Sequence, residues 1–523
     1  MNKIENLSEK QNQLLFWGCF AALAATSFGF IVRTQVIGDW GVEFGLSETE
    51  KGEIFGVGLW PFCISIILFS LIVDKIGYGI SMMIAFGLHV LSAVVTIFAD
   101  GYWMLYIGTF ILALGNGTVE AAINPVVATI YPKEKTKWMN ILHAGWPAGL
   151  VLGGILAILM GPQTGWEWKV ALVLIPVFIY GFVLYGREFP VQERVKAGVS
   201  YKDMLSEAGA LGFFLILYIV LLEINRVAGL SPLVEGELFS LPHISLTILL
   251  IVVSVAYYMY TESFGRPLFV ILLLIMVPLA TTELGTDSWI TELMVPFLGD
   301  NAGWVVVYTA LIMMVLRFYA GPIVHRISPL GLLALSSAIA LVGLVILSSA
   351  TGFMIFISAT IYGLGKTFFW PTMLGVAGER FPKGGALTLN AITGVGMLAA
   401  GVFGAAFLGN IQDKQIDRDL FEQNSAVHAK VMGNEKSSIF GDYKPIDQQK
   451  VNSLSTSEKS VISKIQTNAK QGALSTVAIF PAIMLVSYLG MMMYFRSIGG
   501  YKQIHLNEEE TSEGSIDTSD EEE

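Results

Sequence analysis

Two ionisable residues stand deep inside apolar stretches of this 523-residue chain. Glu120 and Lys366 each lie five residues before a proline, Pro125 and Pro371, in segments about 250 residues apart. A charged side chain at the centre of a membrane helix costs about 2.5–3.5 kcal/mol, so such a residue usually serves a polar interior. The matched positions predict one carboxylate and one ammonium group in corresponding helices.

Three roles are open for Glu120. It could accept a proton, because a carboxyl group in a low-dielectric cavity can load and release a proton as its access to water changes. It could instead accept hydrogen bonds from substrate hydroxyls, or be a structural partner for a buried cation or a helix backbone. Lys366 could pair with Glu120 in one conformation and release it in another, or could bind an anionic substrate directly.

Further polar and aromatic residues within apolar segments are candidates for the same cavity. Asparagine and tryptophan suit sugars, which need bidentate hydrogen bonds and an aromatic face. A single polar residue in a membrane helix also serves to hold two helices together. His143, near the expected cytoplasmic end of its helix, could relay protons. The candidates are Asn116, Asn124, His143, Trp146, Trp370 and Asn390.

Arg33 lies near the outer end of the first apolar stretch. The repeat spacing matches it to Glu283, in a segment that also contains Asp287. An ion pair of Arg33 with either acid would form an outer gate when the two halves of the protein close. The alternative is an arginine whose long side chain reaches the membrane interface.

The composition is that of a protein with many transmembrane helices. Hydrophobic residues make up 54% of the chain, charged residues 14%, and the mean hydropathy is +0.64. Apolar stretches of about twenty residues recur, each long enough to cross a bilayer. We therefore expect an all-α integral membrane protein with about fourteen transmembrane helices. The predicted spans are 14–36, 52–72, 79–99, 103–130, 139–161, 168–186, 207–225, 244–260, 267–290, 302–324, 329–349, 352–376, 386–409 and 474–496.

The charges of the connecting segments predict an orientation. Basic residues concentrate on the side shared by both termini, and acids dominate the short loops opposite. By the positive-inside rule, both termini are expected in the cytoplasm, with the protein in a plasma (bacterial inner) membrane. The basic residues are Lys75, Lys133, Lys135, Lys137, Arg187, Arg194, Lys196, Lys202, Arg266, Arg326, Arg380 and Lys383, and the opposing acids are Asp39, Glu43, Glu48, Glu50, Asp100, Glu235, Glu237 and Asp300.

An internal repeat of about 250 residues divides the chain into two halves. The segment SLIVDKIG at 70–77 has a counterpart in GPIVHRI at 321–327, with Lys75 matched by Arg326. Six spans in each copy are typical of a two-bundle transporter with its site between the halves. The residues expected to form a cytoplasmic latch between the bundles are Asp74, Lys75, Gly77, Arg317, Gly321 and Arg326.

The loop Asp74-Lys75-x-Gly77 resembles the signature loop of the major facilitator superfamily, with Ser70 in place of a glycine and Tyr78-Gly79 in place of a basic pair. The resemblance covers nearly the whole chain. It implies the major facilitator fold, in which two six-helix bundles give each side of the membrane access in turn to a central site.

The run from Gly115 to Pro125 is similar to the fourth helix of the fucose–galactose–glucose:proton symporter branch of that superfamily, in which a helix glutamate precedes Ala-Ala-x-Asn-Pro. This resemblance implies sugar transport coupled to protons, with Glu120 as the helix glutamate. Those symporters carry an acid in the first helix, where this chain has Arg33, and the resemblance does not require Lys366.

Two features are additional to the two bundles. Spans 207–225 and 244–260 form an inserted hairpin, and a polar stretch at 410–472 is expected on the outer side. Apolar residues at helical spacing (Val451, Leu454, Val461, Ile465) make that stretch either a small helical cap or a disordered loop. The expected regions are a cytoplasmic N-terminus (1–13), an N-terminal bundle (14–186), a linker with the hairpin (187–266), a C-terminal bundle (267–496) and a cytoplasmic tail (497–523).

The formal net charge of −11 says little about a substrate, because residues 507–523 contain nine acids and no base. Such a run is typical of a disordered, solvated tail. Cys19 and Cys63 lie in apolar spans, which gives neither a disulfide framework nor metal-ligand spacing. The sequence contains no phosphate-binding loop, nucleophile triad or nucleic-acid patch. We expect no enzymatic activity, cofactor, metal or nucleic-acid partner.

Together these patterns predict a monomeric secondary active transporter in the lipid bilayer. Its expected partners are a small hydrophilic solute, with a sugar as the first choice, and a proton. An organic anion or a nucleoside is the alternative cargo. A transporter-like nutrient sensor, in which the tail or the outer segment signals occupancy, is the alternative from another class.

Overall fold

The computed structural model describes residues 8–131, 135–191, 200–229, 243–324, 326–502 and 504, and within these ranges the chain is almost entirely helical. The first half contains α1 (Glu9–Phe44), α2 (Glu48–Val57), α3 (Trp60–Ile76), α4 (Tyr78–Ile97), α5 (Tyr102–Ile130), α6 (Lys135–His143), α7 (Gly145–Leu159), α8 (Trp166–Ala171) and α9 (Leu174–Leu184).

The remainder contains the hairpin α10 (Tyr201–Val227) and α11 (Ile244–Thr261), and then the second half. Its elements are α12 (Pro267–Ala280), a π-helix (Thr281–Gly285), α13 (Thr286–Leu298), α14 (Trp304–Phe318), α15 (Ala320–Val324), α16 (Pro329–Leu347), α17 (Met354–Lys366), α18 (Phe369–Arg380), α19 (Gly385–Ala399), a second π-helix (Ala400–Ala405), α20 (Ala406–Gln423), α21 (Ser425–Val431), β1 (Lys436–Ser438), β2 (Gly441–Tyr443), α22 (Gln448–Asn452), α23 (Thr456–Val477) and α24 (Ile479–Ser497).

The expected all-α membrane architecture is confirmed. Twelve helical segments in the described ranges, some of them formed by two consecutive elements such as α2 with α3, are long and apolar enough to cross a bilayer. The other two predicted spans, 302–324 and 352–376, are built from the shorter helices α14 with α15 and α17 with α18. The second of these breaks at Thr367-Phe368, just before Pro371, which lies in the first turn of α18, where a proline is readily tolerated.

The two halves meet through closely packed helices. Gly56 of α2 and Gly401 of the second π-helix touch backbone to backbone, and a Cβ atom on either would clash with the carbonyl oxygen of the other. Only glycine permits so close an approach of two main chains. We define the outer end of the bundle as the one at which α1 terminates, following the orientation that the charges predict. The opposite side is called the inner end.

The inserted hairpin lies against both halves. Helix α10 packs with an apolar cluster that includes Trp60 and Cys63 of α3, Tyr106 of α5 and Leu398 of α19. At its outer end, Arg226 donates to Glu53 of α2 and to Glu223 of its own helix, both at 2.7 Å. A buried charge needs such pairing, and here the pairing joins the insertion to the first half.

The segment between the last two spans forms an ordered unit instead of a loop. It combines α21 to α23 with a two-stranded antiparallel hairpin, β1–β2, paired at Ser437 and Asp442. A small apolar core built around Leu420, Val431 and Ile465 holds the unit together. The sequence leaves open a small helical cap or a disordered loop for 410–472, and the structure has a folded unit. This unit also contains a β-hairpin, which the helical spacing does not indicate.

Candidate functional site

A small cavity of about 20 Å³ lies between the two halves. It takes side chains from both, because α5, α6 and α7 of the first half face α14, α18, α19 and the first π-helix of the second. The lining residues are Glu120, His143, Trp146, Glu283, Leu284, Arg317, Trp370 and Met397. Four of these, Glu120, His143, Trp146 and Trp370, are candidates that the sequence selects for a common cavity.

Glu120 is 2% exposed and belongs to α5. Its carboxylate accepts a hydrogen bond from Asn124 Nδ2, one helical turn further on, at 2.9 Å. Within the described residues no lysine, arginine or histidine lies within ion-pair distance of it. Asn124 therefore orients the carboxylate and leaves its charge uncompensated.

The opposite wall of the cavity carries an ion pair. Arg317 Nη2 donates to Glu283 Oε1 at 3.2 Å, and both side chains are buried. Arg317 also donates to the carbonyl oxygen of Thr367 at 2.9 Å and, across the two halves, to that of His143 at 3.3 Å. The second carboxylate oxygen of Glu283 and Nε2 of His143 have no partner among the described residues. The described residues therefore leave the hydrogen-bonding capacity of these two atoms unused.

Two sequence-based pairings differ from the structure. Lys366 is fully buried and donates to both carboxylate oxygens of Asp287 at 2.5 Å, with the ring of Tyr362 4.9 Å away. It therefore does not contact Glu120 in this conformation. Asp287 and Lys366 belong to the same half, so their pairing needs no approach of the bundles, unlike the expected Glu120–Lys366 pair.

The expected outer gate of Arg33 with Glu283 or Asp287 is likewise not formed. Arg317 holds Glu283 and Lys366 holds Asp287, so both acids are already neutralised within the second half. The guanidinium of Arg33 lies instead against Gly58, at the break between α2 and α3. Arg317 is not part of a latch at the inner end in this structure, because its buried side chain lines the cavity.

Asn116 and Asn390 do not line the cavity. Asn116 Oδ1 pairs with His89 Nε2 at 3.0 Å, and Nδ1 of the same histidine pairs with the hydroxyl of Tyr180 at 2.9 Å. Asn390 of α19 donates to Ser70 Oγ of α3 at 2.6 Å, a hydrogen bond between the halves near the inner end. Both asparagines thus connect helices, the alternative that a single polar membrane residue always offers.

The remaining latch residues lie at the inner end. Lys75 and Arg326 are exposed, and Gly77 ends α3 with a φ of 87°, a conformation that favours glycine. The side chain of Asp74 and the surroundings of Gly321 lie outside the described part of the structure. The latch at this end therefore stays a prediction.

An ion-pair cluster at the outer end was missed from the sequence. Glu292 of α13 lies 3.7 Å from Lys51 of α2 and 3.7 Å from Lys470 of α23, so it joins both halves and the folded segment. Nearby, Asp413 of α20 accepts hydrogen bonds from the amide (2.9 Å) and hydroxyl (2.6 Å) of Thr49. Glu292 interrupts an apolar stretch, which is the one signal that could have identified it.

No group of three or more histidine, cysteine, aspartate or glutamate side chains in the described ranges could hold a metal ion.

Comparison with known proteins identifies the family. The family model of the Major Facilitator Superfamily matches residues 14–405, and the chain belongs to this superfamily. Members of this superfamily are generally transporters and not enzymes.

Two curated relatives match part of the chain. The Protein TsgA homolog of Buchnera aphidicola is 24% identical over 213 residues, which cover 40% of this chain and 55% of the relative. The cis,cis-muconate transport protein of Acinetobacter baylyi is 23% identical over 168 residues, 32% of this chain and 41% of the relative. The chain spans about half the length of the curated relatives it matches.

Solved structures share the fold over most of the chain. A bacterial homologue of the human lysosomal transporter Spinster, inward-facing and unoccupied, has a TM-score of 0.62 at 13% identity and covers 92% of this chain and 97% of its own. The proton:xylose symporter XylE bound to 6-bromo-6-deoxy-D-glucose has a TM-score of 0.55 at 14% identity, with coverages of 91% and 96%. At these identities the likeness concerns the fold alone.

Proposed function

We propose that the protein is a secondary active transporter that moves a small hydrophilic solute, with a sugar as the first choice, together with a proton. The observation that carries this proposal is Glu120, a buried carboxylate that faces the cavity between the halves and has only an amide partner. An ionised carboxylate in such a place is costly unless a positive charge neutralises it.

A proton is the simplest neutralising partner for Glu120. The other buried acid of the cavity, Glu283, already has Arg317. Protonated Glu120 could cross between the two access states without a counter-ion and release its proton where water enters the cavity. A membrane potential then drives each positive charge inward with about 2.3 kcal/mol per 100 mV.

The cavity walls support a hydroxylated solute. Trp146 and Trp370 offer aromatic faces, and the free oxygen of Glu283 and the free nitrogen of His143 offer hydrogen-bonding atoms. The likeness of α5 to the fucose–galactose–glucose:proton symporter branch also supports a sugar. An organic anion is the second candidate, supported by the similarity to a cis,cis-muconate transport protein.

Alternating access would use contacts at both ends of the cavity. The Glu292 cluster would separate when the outer end opens, and the Asn390–Ser70 hydrogen bond would separate when the inner end opens. We propose that the protein is a monomer in a bacterial inner membrane with both termini in the cytoplasm. Its proposed regions are an N-terminal segment (1–13), an N-terminal bundle (14–186), a linker with the hairpin (187–266), a C-terminal bundle (267–496) and a tail (497–523).

The test is a solute screen in proteoliposomes with an imposed proton gradient. Neutral sugars, nucleosides and carboxylates are offered at equal concentration, and accumulation is measured with and without a protonophore. We expect at least one solute to accumulate and the protonophore to abolish the accumulation. Accumulation that ignores the protonophore would contradict proton coupling. If no solute enters, and deletion of 507–523 alters a regulatory output, the sensor alternative is favoured.

A further inference from the structure

Arg33 is a buried cation without an acceptor. The side chain is 4% exposed, and all three guanidinium nitrogens lack a hydrogen-bond partner within the described residues. Its charge lies over the backbone of Gly58, where any Cβ atom would clash with it, and 6.0 Å from the centre of the Phe30 ring. A guanidinium carries five donors and stays charged in proteins, so burying it unpaired is costly.

The other buried basic side chains show what is normal for this protein. Five lysines and arginines are buried in the described ranges. Four of them have a carboxylate partner: Lys51 with Glu292, Lys169 with Asp39, Arg317 with Glu283 and Lys366 with Asp287. Arg33 is the exception. The donors of Arg33 are therefore available to an anion that does not come from the described residues.

Arg33 lies between the outer end and the central cavity. Five residues further along α1, about 7.5 Å at 1.5 Å per residue, Gly38 packs against the carboxylate of Glu292 in the outer cluster. In the other direction, the ring of Phe30 is 6.0 Å from that of Trp146, which lines the cavity. A solute that passes the outer cluster would meet Arg33 before it reaches the cavity.

Opening of the outer end would uncover this guanidinium. Gly58, which covers it, belongs to the same short stretch as Gly56, whose backbone touches Gly401 of the other half. Phe55 of α2 also packs against Trp289 of α13, with ring centres 5.8 Å apart. Separation of the two halves at this level would break both of these contacts, which lie next to the stretch that covers Arg33.

We propose that Arg33 binds the carboxylate of the transported solute, and that the sugar of the proposed function is therefore a polyhydroxylated acid, such as a sugar acid. The inference rests on the proposed transport function and names its substrate class. A guanidinium fork matches a carboxylate with two parallel hydrogen bonds, which also select the orientation of the ligand. The hydroxyl groups of the same ligand would then bind the polar atoms and tryptophan faces of the cavity.

The test measures binding directly, on the purified full-length protein in detergent without chloride. Gluconate and glucuronate are compared with glucose, which has similar hydroxyl groups and no charge, by the shift that each causes in the thermal unfolding temperature. We expect at least one of the two acids to raise this temperature in the wild type and to lose the effect in Arg33→Gln. Arg33→Lys keeps the charge without the planar fork and should weaken the apparent affinity about tenfold.

Glu223→Gln serves as the control, because it changes a buried carboxylate of the inserted hairpin that does not line the cavity. We expect it to retain the Arg33-dependent shift. If the shift persists in Arg33→Gln, or if neither acid shifts the wild type, the anion site is wrong. If chloride alone gives an Arg33-dependent shift to which the acids add nothing, the partner is a resident inorganic ion and the substrate claim fails. Failure of Glu120 as proton carrier would leave these binding results unchanged.

Discussion

Lys366 and Asp287, which both belong to the second half of the protein, form an ion pair. Both carboxylate oxygens of Asp287 lie 2.5 Å from the ammonium nitrogen of Lys366. The pair lies in the same region as the Arg317–Glu283 pair, since Asp287 and Glu283 are one helical turn apart. Two cations of the second half are thus neutralised locally. Glu120, on the facing half, is left without a counter-ion.

Removal of Asp287 should strongly destabilise the protein. Asp287→Asn leaves the fully buried ammonium group of Lys366 uncompensated, and breaking a buried pair in this way costs about 3–5 kcal/mol. The double variant Asp287→Leu/Lys366→Met removes both charges and should recover most of that loss. Thermal unfolding of the purified protein measures the difference.

A surface pair provides the matched control. Lys202 and Glu262 lie 3.0 Å apart, with side chains that are 46% and 76% exposed. Lys202→Met should therefore cost less than about 1 kcal/mol. If Asp287→Asn has as small an effect as Lys202→Met, the pair is not the buried, dry contact described above.

Loss of Glu292 should favour opening at the outer end. Glu292→Gln leaves Lys51 and Lys470 close together without the acid between them, so the contact of the halves weakens. In a background with Cys19 and Cys63 replaced by alanine, Ser288→Cys places a buried thiol one turn below the cluster. Its labelling by a membrane-impermeant maleimide from the outer side should become several-fold faster.

Glu458→Gln is the control for this experiment, because Glu458 pairs with Lys430 on the surface of the folded segment between the last two spans. In the Glu458→Gln variant, the labelling rate of Ser288→Cys should match the rate in the protein with unaltered Glu292 and Glu458. Equal rates in all three proteins would argue against a gate at Glu292.

The Asn390–Ser70 hydrogen bond makes the opposite prediction at the inner end. Asn390→Ala removes a contact between α19 and α3, so a cysteine introduced at Thr393, buried one turn deeper, should be labelled faster from the inner side. Asn410→Ala also removes a buried asparagine hydrogen bond, to Ser438, but near the outer end. Asn410→Ala should leave the labelling rate of Thr393→Cys unchanged. If Asn410→Ala accelerates this labelling as much as Asn390→Ala does, the cause is a general loosening of the protein and not an inner gate.

The sequence predicts how deep a residue lies in an apolar segment, but it does not predict which residue is its hydrogen-bond or ion-pair partner. Glu120 and Trp370 could be assigned to a common cavity because spans in the two halves occupy equivalent places. Which acid meets which cation depends on helix rotation, and the π-helix Thr281–Gly285 shifts that rotation just before Asp287. No simple spacing rule captures this change of register.

The folded segment between the last two spans was the other feature that the sequence could not specify. Its contacts with the bundle come from single charged residues such as Asp413 and Lys470, which in a polar sequence look like any solvated charge. Only the fold of the segment brings Lys470 to Glu292. The outer cluster therefore could not be predicted from hydropathy or from the internal repeat.

The central claim is that Glu120 carries the coupled proton, and the most direct test compares uphill uptake with exchange in proteoliposomes. In Glu120→Gln, we expect accumulation driven by a proton gradient to be abolished while exchange of labelled for unlabelled solute continues. Glu223→Gln, the same change in a buried carboxylate of the inserted hairpin outside the cavity, should retain both activities. Accumulation by Glu120→Gln at the wild-type level, with the same dependence on the proton gradient, would contradict the claim.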